Sequence, residues 1–521
     1  MNAAMQSGLL DLGTLLLPEL ILSCGGMLVL MYGVFAPAGA ATTRRAHLLA
    51  IVVTLATAAA AAMLADQSPP LGAATGPLAF DGFRWASVAV ILLGVLGTLV
   101  MAMEYNEGAA LTAAEPPALV LFAATGMLLL VGSRELMLIF LGLELMSLSV
   151  YILTGLDRSR AGSAEAALKY FLLGSFSTGF LLYGMALLYG STGTTSLPDM
   201  ATTIARGKLA TDPLLIGGMA LLFVGFSFKV AAAPFHMWTP DVYEGAPTPY
   251  TAFMAAGVKT AAFAAFARIL FDGLGPAYVS WHYAAWMLAA ATMIVGNVLA
   301  LVQQNVKRML AYSSIAHAGY LLVAVTSHSS EGVAAIVFYA LAYTVATIGA
   351  FGVLSIVCGG IEKRTTLADL AGLSRTRPLL AAAMAVFMLS LLGFPVAGGM
   401  GFFAKWYVLR AAIGAPAPQT KLAVILVLAS VVSAAYYLGV ISAMFMKPVD
   451  ESVQPARPVA PRLTGGVIAV AVLLLLVLGV YPSPAVKWAR ASTLPMTPGR
   501  ANGTPAAMQA LAPTASSTLL P

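Results

Sequence analysis

Five ionisable side chains lie inside long apolar stretches of the sequence, where a charge is costly. They are Glu144, Lys169, Lys229, Lys259 and Lys405. One charged side chain at the centre of a bilayer costs about 2.5–3.5 kcal/mol on insertion scales, and ionisable groups at that depth mark ion or proton routes. Because carboxylates accept protons and ammonium groups release them, this set predicts a chain of groups that passes protons through a membrane.

The depth of each group decides how strongly it supports a route. Glu144 lies about 15 Å into its apolar stretch, and Lys259 lies about 16 Å into another. Lys405 lies near the far end of its stretch, so a lysine that reaches the membrane surface is an alternative. Lys169 follows Glu165 by four residues, so an ordinary helix-stabilising ion pair is an equal alternative there.

A helix break is predicted beside Lys229, which precedes Pro234 by five residues. Proline interrupts the helical hydrogen-bond ladder, and a broken helix in a membrane is tolerated only beside protein or water. A lysine next to such a break is typical of transporters, and His236 is predicted to anchor the break. We expect Glu144 to stabilise the Lys229 charge, since their attraction is about 4 kcal/mol at 4 Å and an effective dielectric near 20.

A second break is predicted near Pro395. The apolar stretch 378–410 would be about 50 Å long as one straight helix, whereas a bilayer core is about 30 Å thick. Pro395 and the glycine-rich residues 398–401 explain the excess length as an unwound middle.

One histidine, His317, lies in the middle of an apolar stretch, near Ser313, Ser314 and Tyr320. Imidazole titrates near neutral pH, so His317 is predicted to take part in proton transfer. A hydrogen-bonded structural histidine is the alternative interpretation.

The composition of the chain requires a membrane around these groups. Of 521 residues, 60% are hydrophobic and 9% are charged, with a mean hydropathy of +0.90; soluble domains carry about 25% charged residues. Cys24 and Cys358 are too few for an iron–sulfur or structural zinc site, and no Gly-rich nucleotide fingerprint is present. We therefore expect no cofactor or metal in this chain, and its scattered basic residues do not predict nucleic-acid binding.

The predicted fold is an all-α polytopic membrane protein with about fourteen transmembrane helices. The apolar runs are too long for the alternating strands of a β-barrel. The predicted spans are 15–35, 46–65, 82–103, 117–133, 134–156, 163–190, 211–237, 248–271, 281–303, 308–327, 331–358, 378–410, 420–446 and 463–482.

The two breaks fall in the seventh and twelfth spans, five spans apart, which predicts two five-helix repeats. Because five is odd, the repeats must be inverted in the membrane, as in many transporters. Each repeat would supply a half-channel, and Lys259 would join the two. The predicted units are 1–116 (helices 1–3), 117–272 and 273–446 (the repeats), 447–482 (a loop and helix 14) and a disordered tail, 483–521.

Loop charges predict the orientation of the chain. One side of the fourteen-span arrangement carries thirteen Lys and Arg residues, and the other side carries ten. The positive-inside rule places the first side in the cytoplasm and both termini in the periplasm of a bacterial inner membrane.

Four sequence segments resemble one family of membrane proteins. They are PFHMWTPDVYEGAPTPYTAFMAAGVKTAAF (234–263), KRMLAYSSIAHAGYLL (307–322), ALKYFLLGSFSTGFLLYG (167–184) and GFPVAGGMGFFAKWYVL (393–409). They are similar to the antiporter-like subunits of bacterial NADH:quinone oxidoreductase, respiratory complex I. The VYEGAPTP continuation favours the subunit N family over the related multi-subunit cation/proton antiporters.

The resemblance implies a non-redox, proton-translocating subunit in the membrane arm of a translocase. The family's glutamate on helix 5 falls on Glu144, and its lysines on helices 7, 8 and 12 fall on Lys229, Lys259 and Lys405. The partners implied are other antiporter-like and small membrane-arm subunits and, indirectly, the peripheral redox arm. NADH, FMN, iron–sulfur clusters and quinone would belong to those partners.

Two other functions stay open on the sequence. The first is a subunit of a cation/proton antiporter that exchanges Na⁺ or K⁺ for protons. The second is a membrane scaffold in which the buried charges only fix helix packing.

Overall fold

The computed structural model describes residues 12–37, 39–67, 76–109, 111, 113–359, 362, 365–395, 399–448, 462–492 and 494. Within these ranges the chain forms helices joined by turns and short loops, and its only β structure is three isolated bridges. The prediction of an all-α polytopic fold is confirmed.

Thirteen helices in the described part of the chain are long and apolar enough to cross a membrane. A fourteenth crossing, the twelfth in chain order, consists of two shorter helices. The crossings are α1 Leu17–Phe35, α2 Ala40–Asp66, α3 Gly82–Gly108, α4 Glu115–Gly132, α5 Leu136–Thr154, α6 Ala161–Thr192, α7 Pro213–Val230, α8 Thr248–Gly273, α9 Gly275–Leu301, α10 Val306–Thr326, α11 Ser330–Cys358, α12a Pro378–Leu392, α12b Met400–Ile413, α13 Thr420–Met446 and α14 Arg462–Val480.

Four short α-helices and the 3₁₀ helix Leu209–Thr211 complete the described fold; the α-helices are Leu197–Gly207, Thr239–Gly245, Leu373–Thr376 and Ser483–Ala491. The last departs from the prediction of a disordered tail from residue 483. Pro484 lies in its first turn, and its buried residues Ala485, Val486 and Ala489 form one face. Because this face packs on α11, tertiary contacts order a segment whose composition indicated disorder. Apart from Leu494, the tail beyond Ser492 lies outside the described residues.

Glycines allow the close helix contacts of the bundle. A Cβ atom added at Gly126 of α4 would lie 2.5 Å from the backbone nitrogen of Met146 on α5. The same pattern joins α6 and α7, where a Cβ at Gly184 would lie 2.9 Å from the carbonyl oxygen of Gly218. Small residues let membrane helices approach backbone to backbone, which compensates for the weak hydrophobic drive between helices in lipid.

Burial divides the helices into a centre and a periphery. The apolar stretches of α8, α10 and α11 are almost entirely buried, whereas two thirds or more of those of α1, α2, α6, α13 and α14 are not. The exposed side chains on the peripheral helices are mostly large and apolar, as a lipid-facing surface requires. The centre of the molecule is therefore formed by α8, α10 and α11.

The predicted breaks near Pro234 and Pro395 are both present. Helix α7 ends at Val230 instead of reaching 237, because Ala231 adopts a left-handed conformation with φ +61° and the chain then turns through Pro234. The twelfth crossing is interrupted between Leu392 and Met400, with Gly393 at φ +76°. Residues 396–398 lie outside the described ranges.

Candidate functional site

Three buried lysines define the candidate site, and each lies beside an irregular stretch of helix. Lys229 is in the last turn of α7, Lys259 follows a π-helical turn at Met254–Val258, and Lys405 is in α12b. Their relative exposures are 3%, 3% and 8%. Helix interruptions leave backbone groups free to bind charges, so the fold places each amine where polar partners exist.

Lys229 is held by two hydroxyl groups of α5. Its Nζ donates to Ser147 Oγ at 2.8 Å and to Tyr151 OH at 3.1 Å, and it lies 5.4 Å from the centre of the Tyr151 ring. The end of α7 also stabilises a cation, because its last carbonyls carry partial negative charge. An ammonium group with two hydroxyl partners can release a proton to either one.

Glu144 lies on the same helix as these hydroxyls but is not among the ion pairs of the described residues. Its Oε1 accepts a hydrogen bond from Thr178 Oγ1 of α6 at 2.8 Å, and the residue is half-buried. Ser147 follows Glu144 by three residues, which is one helical turn. The expected direct contact between Glu144 and Lys229 is therefore replaced by a contact between Lys229 and Ser147.

The break after α7 is secured by backbone and side-chain bonds. Trp238 Nε1 donates to the Phe228 carbonyl at 2.9 Å, and the Ala233 N–H donates to Thr292 Oγ1 at 2.9 Å. His236, expected to be the anchor, is half-buried, and its Nδ1 has no hydrogen-bond partner within the described part of the chain. Pro234 is exposed.

Lys259 contacts α10 at the centre of the molecule. Its Nζ donates to the carbonyl oxygen of Ser314 at 2.5 Å and also to Ser314 Oγ. Ser314 Oγ is in turn 3.4 Å from the hydroxyl of Tyr243. The ring of Tyr343 lies 5.6 Å from the amine. Lys259 is thus linked through the Ser314 hydroxyl to the hydroxyl of Tyr243.

His317 is buried in α10, between two tyrosine hydroxyls. Its Nδ1 is 2.5 Å from Tyr339 OH, and its Nε2 is 3.1 Å from Tyr437 OH. Tyr437 OH also bonds Ser313 Oγ. Because each imidazole nitrogen faces a group that both donates and accepts, a change of tautomer would move a proton across the ring.

Lys405 points inward rather than to the membrane surface. Its Nζ donates to the carbonyl of Leu392, the last residue of α12a, at 2.8 Å and lies 4.9 Å from the centre of the Tyr320 ring. The break near Pro395 frees that carbonyl, which explains why an amine binds there. Pro395 itself is exposed.

A small cavity joins His317 to Lys405. Its volume is about 10 Å³, and its lining includes both residues together with Tyr339, Tyr343 and Ser390. A water molecule requires a cavity of about this size and two to four polar partners. The geometry therefore allows one water molecule to bridge the imidazole and the amine.

Lys169 lies apart from the buried groups. Its side chain is 42% exposed and pairs with Glu165 at 2.6 Å and with Asp241 at 2.8 Å. Asp241 also pairs with Arg308 at 2.6 Å. Although partial burial alone would raise the pKa of Asp241, its hydrogen bonds to Lys169 and Arg308 hold that pKa below its usual value.

Sequence reasoning missed most of the hydroxyl groups that surround the predicted residues. Ser147, Tyr151, Tyr339 and Tyr437 carry no signal of their own, because single Ser and Tyr residues are common in membrane helices. Only helix packing shows that they meet a lysine or a histidine. Within the described residues, no group of three or more His, Cys, Asp or Glu side chains could hold a metal ion.

Comparison with known proteins identifies the family. Residues 133–433 match the family model described as NADH:quinone oxidoreductase/Mrp antiporter, TM. NADH-quinone oxidoreductase subunit N of Gemmatimonas aurantiaca is 54% identical over 490 residues, which cover 93% of this chain and 94% of that protein. The chain belongs to the NADH-quinone oxidoreductase subunit N family. The resemblance seen in the sequence is confirmed.

Solved structures agree with membership of the subunit N family. A chain of respiratory complex I from Thermus thermophilus, with bound aureothin, is 38% identical with a TM-score of 0.76, and the match covers 91% of this chain and all of that one. A chain of the Mrp complex from Dietzia sp. has a TM-score of 0.77 at 21% identity, covering 91% of this chain and 97% of its own length. The second likeness concerns the fold alone.

Proposed function

We propose that this chain conducts protons across the bacterial inner membrane as a non-redox, membrane-arm subunit of an NADH:quinone oxidoreductase. The observation that carries the proposal is the series of buried amines, Lys229, Lys259 and Lys405, each bound to a hydroxyl or carbonyl oxygen. Membership of the subunit N family supports it. NADH, FMN, iron–sulfur clusters and quinone belong to other subunits of the complex.

The route runs from Lys229 through Lys259 and His317 to Lys405. Each amine alternates between its charged and neutral forms, and the neighbouring hydroxyls of Ser147, Ser314 and Tyr339 transfer protons between steps. A charge on one amine disfavours a charge on the next, so protons advance one at a time. Glu144 acts at the Lys229 end, one helical turn before Ser147, the hydroxyl partner of Lys229.

Other membrane subunits cover the surface formed by α5 and α6. The half-buried Glu144 lies on α5, whose exposed residues Leu141 and Leu148 would otherwise face lipid. A carboxylate in contact with acyl chains is unfavourable, whereas a polar or basic group of a neighbouring subunit would stabilise it. This face is therefore the proposed contact with an adjacent membrane-arm subunit.

The internal symmetry and the orientation belong to the same proposal. Residues 117–272 and 273–446 form inverted five-helix repeats, residues 1–116 form the N-terminal unit, and 447–482 contain a loop and α14. The predominance of Lys and Arg on the side of Arg44, Arg158 and Lys307 supports a cytoplasmic position for that side and periplasmic termini.

A cation/proton antiporter subunit is the second candidate, favoured by the matching family model, whose description also names the Mrp antiporter. The two functions differ in what drives transport. Reconstituted vesicles that contain this chain without redox subunits would exchange Na⁺ or K⁺ for protons under the second function. Under the first, proton transport requires NADH oxidation by the whole complex.

A panel of three substitutions tests proton conduction. In membrane vesicles containing the whole complex, Glu144→Ala, Lys229→Ala and Lys259→Ala are each expected to lower NADH-driven proton transport at least about tenfold. Lys421→Ala, at an exposed lysine at the start of α13, is the control and should transport normally. Normal assembly and normal proton transport in all three variants would favour a scaffold and reject the proposal.

A further inference from the structure

A buried ion pair outside the proposed route joins Lys307 to Glu362. Lys307 Nζ and Glu362 Oε2 are 2.8 Å apart, and both side chains have a relative exposure of 0%. Lys307 is in the first turn of α10, and Glu362 follows the end of α11. Both residues lie outside the predicted spans, where charged residues are common. Only the fold brings them together inside the protein.

The Glu362 carboxylate is surrounded by hydrogen-bond donors. Its Oε1 accepts from Tyr105 OH of α3 and from the backbone N–H and Oγ1 of Thr248 at the start of α8, each at 2.7 Å. Lys307 donates both to Oε2 and to the carbonyl of Ala246, at 2.6 Å. Both carboxylate oxygens are therefore satisfied, as a buried ion pair requires, and two of the donors, Tyr105 and Thr248, are hydroxyl groups that can also accept a proton.

The Lys307–Glu362 pair lies at one end of the face of α10 that binds Lys259 through Ser314. Lys307 and Ser314 are seven residues apart on α10, two turns along the same face, or about 10.5 Å. Ser314 Oγ accepts from Lys259 and lies 3.4 Å from Tyr243 OH. Tyr243 is in the short helix that leads directly to Ala246, the carbonyl partner of Lys307. The ion pair and the central amine therefore share α10 and this short helix.

Exposed charged groups lie close in the chain to Lys307. Asn305, two residues before Lys307, donates to Glu244 Oε1 at 3.0 Å and to Thr365 Oγ1 at 2.8 Å. Glu244 pairs with Arg308, and both side chains are at least 30% exposed. Lys307, the partner of the buried carboxylate, is thus next in the chain to Arg308, whose side chain is 30% exposed.

Lys307 is the main group that keeps the Glu362 carboxylate ionised. Burial alone would raise the pKa of its carboxyl, but Lys307 and the hydrogen bonds from Thr248 and Tyr105 hold that pKa below its usual value. The other titratable groups near the pair are Cys358 and Asp369. The carboxylate is therefore ionised while Lys307 is beside it, and withdrawal of the lysine favours its protonated form.

We propose that Glu362, controlled by Lys307, is the proton-loading group on this side of the membrane and supplies protons to Lys259. A proton from water at the exposed surface that carries Glu244 and Arg308 adds to a carboxylate oxygen of Glu362, whose bond to Lys307 then weakens. The carboxyl O–H later breaks, and the proton passes by way of Tyr243 and Ser314 to the neutral amine of Lys259. Glu362 returns to its ionised form and pairs again with Lys307. This inference rests on the proposed proton route.

A purely structural ion pair is the competing explanation, and the chain offers a matched control for it. Arg84 and Glu19 form a second buried pair at 2.7 Å, with exposures of 0% and 4%, between α3 and α1. This pair lies away from the lysine route. Substitutions at Glu19 therefore report the effect of losing a buried ion pair without interrupting proton loading.

The test compares Glu362→Gln, Glu362→Asp and Glu19→Gln in the intact complex. Proton transport per assembled complex should fall at least about fivefold in Glu362→Gln, recover to at least half in Glu362→Asp and stay within twofold in Glu19→Gln. Normal transport in Glu362→Gln would overturn the proposal. An equal loss per assembled complex in Glu362→Gln and Glu19→Gln would also overturn it.

Infrared difference spectra during NADH oxidation provide a measurement that does not depend on assembly yield. The carbonyl stretch of a protonated carboxylic acid should appear during turnover, shift in D2O and be absent in Glu362→Gln. If the spectra of Glu362→Gln and the parent complex are the same, Glu362 stays ionised and the proposal fails. Should Lys259→Ala also transport normally, the proton route itself would be wrong; a defect in Lys259→Ala alone rejects only the loading role.

Discussion

At the scale of single residues, hydroxyl groups are the hydrogen-bond partners of the buried Lys229 and Lys259. The sequence predicted that Glu144 would pair with Lys229, but Ser147 and Tyr151 occupy the positions around the amine. A hydroxyl can donate and accept at once, whereas a carboxylate beside the amine would hold it charged. The observed partners therefore suit the proposed role of Lys229, in which the amine gives up its proton.

Removal of one hydroxyl tests this role. Tyr151→Phe keeps the ring beside Lys229 but deletes the OH that accepts from it, and hydrogen bonds to charged groups contribute about 1.5–3 kcal/mol. We expect proton transport to fall about three- to tenfold, with assembly and NADH oxidation by the peripheral arm unchanged. The measurement is proton uptake by vesicles per assembled complex.

A matched tyrosine controls for this change. Tyr183 of α6 is 60% exposed on the outer surface, so Tyr183→Phe should leave proton transport unchanged. Equal transport in Tyr151→Phe and the parent complex would show that the Tyr151 hydroxyl has no part in proton transfer.

At the scale of helices, sequence patterns predicted the crossings and their breaks well. Long apolar runs gave fourteen crossings because lipid leaves a backbone no alternative to helix, and Pro234 and Pro395 marked both interruptions. The end of α7 was placed seven residues too late, since Ala231 terminates the helix before the proline. Nothing in the residue type of Ala231 predicts its left-handed conformation.

The close contact of α12a and α12b provides a test of the second break. A Cβ atom at Gly401 would lie 1.9 Å from the Ser390 carbonyl oxygen and 2.7 Å from Ser390 Oγ, so Gly401→Ala must displace α12b. This movement would shift Lys405, four residues further on, away from the Leu392 carbonyl. We expect at least about a tenfold loss of proton transport, measured in vesicles.

Gly439→Ala in α13 is the control for this substitution. A Cβ atom there meets nothing within 4 Å, and alanine favours helix over glycine by about 0.8–1.0 kcal/mol. Proton transport in Gly439→Ala should equal that of the parent. If Gly401→Ala also behaves like the parent, the position of Lys405 does not depend on this backbone contact.

At the scale of the whole molecule, buried ion pairs connect the N-terminal helices to the rest of the bundle. Asp81 caps α3 by accepting from the Arg84 N–H and pairs with Arg268 of α8 at 2.8 Å. Arg84 in turn pairs with Glu19 of α1, and Arg134 pairs with Asp272. The predicted spans 82–103 and 248–271 have Arg84 and Arg268 near one end, and the fold encloses both side chains completely.

Asp81→Asn is expected to destabilise the protein, because it leaves the buried Arg268 guanidinium without its carboxylate. Removing one partner of a buried pair costs about 3–5 kcal/mol. The midpoint of thermal unfolding of the complex in detergent should fall clearly. Glu331→Gln, at the half-exposed pair with Arg490, should change it little, since surface pairs contribute about 0–1 kcal/mol. Equal midpoints for both variants would contradict this role of Asp81.

The stabilisation that Asp81 provides should depend on pH. Burial alone would raise the pKa of Asp81, but Arg268 and Arg84 lower it below the ordinary value of 3.8. Its stabilising effect is therefore present above the unfolded-state pKa and is lost as the pH falls through the lower folded-state pKa. The difference in unfolding midpoint between the parent and Asp81→Asn should shrink below about pH 4. A difference that is constant down to pH 3 would contradict the ionic role.

The sequence by itself determined that this is a multi-helix membrane protein, that Lys229, Lys259 and Lys405 lie inside it and where two helices break. Those properties follow from local composition, because the bilayer excludes unpaired backbone and charge at every position. Only the tertiary structure decided which groups meet: Ser147 with Lys229, Ser314 with Lys259, and Lys307 with Glu362. These contacts join residues 55–82 positions apart on separate segments of the fold, and no local pattern encodes how those segments pack.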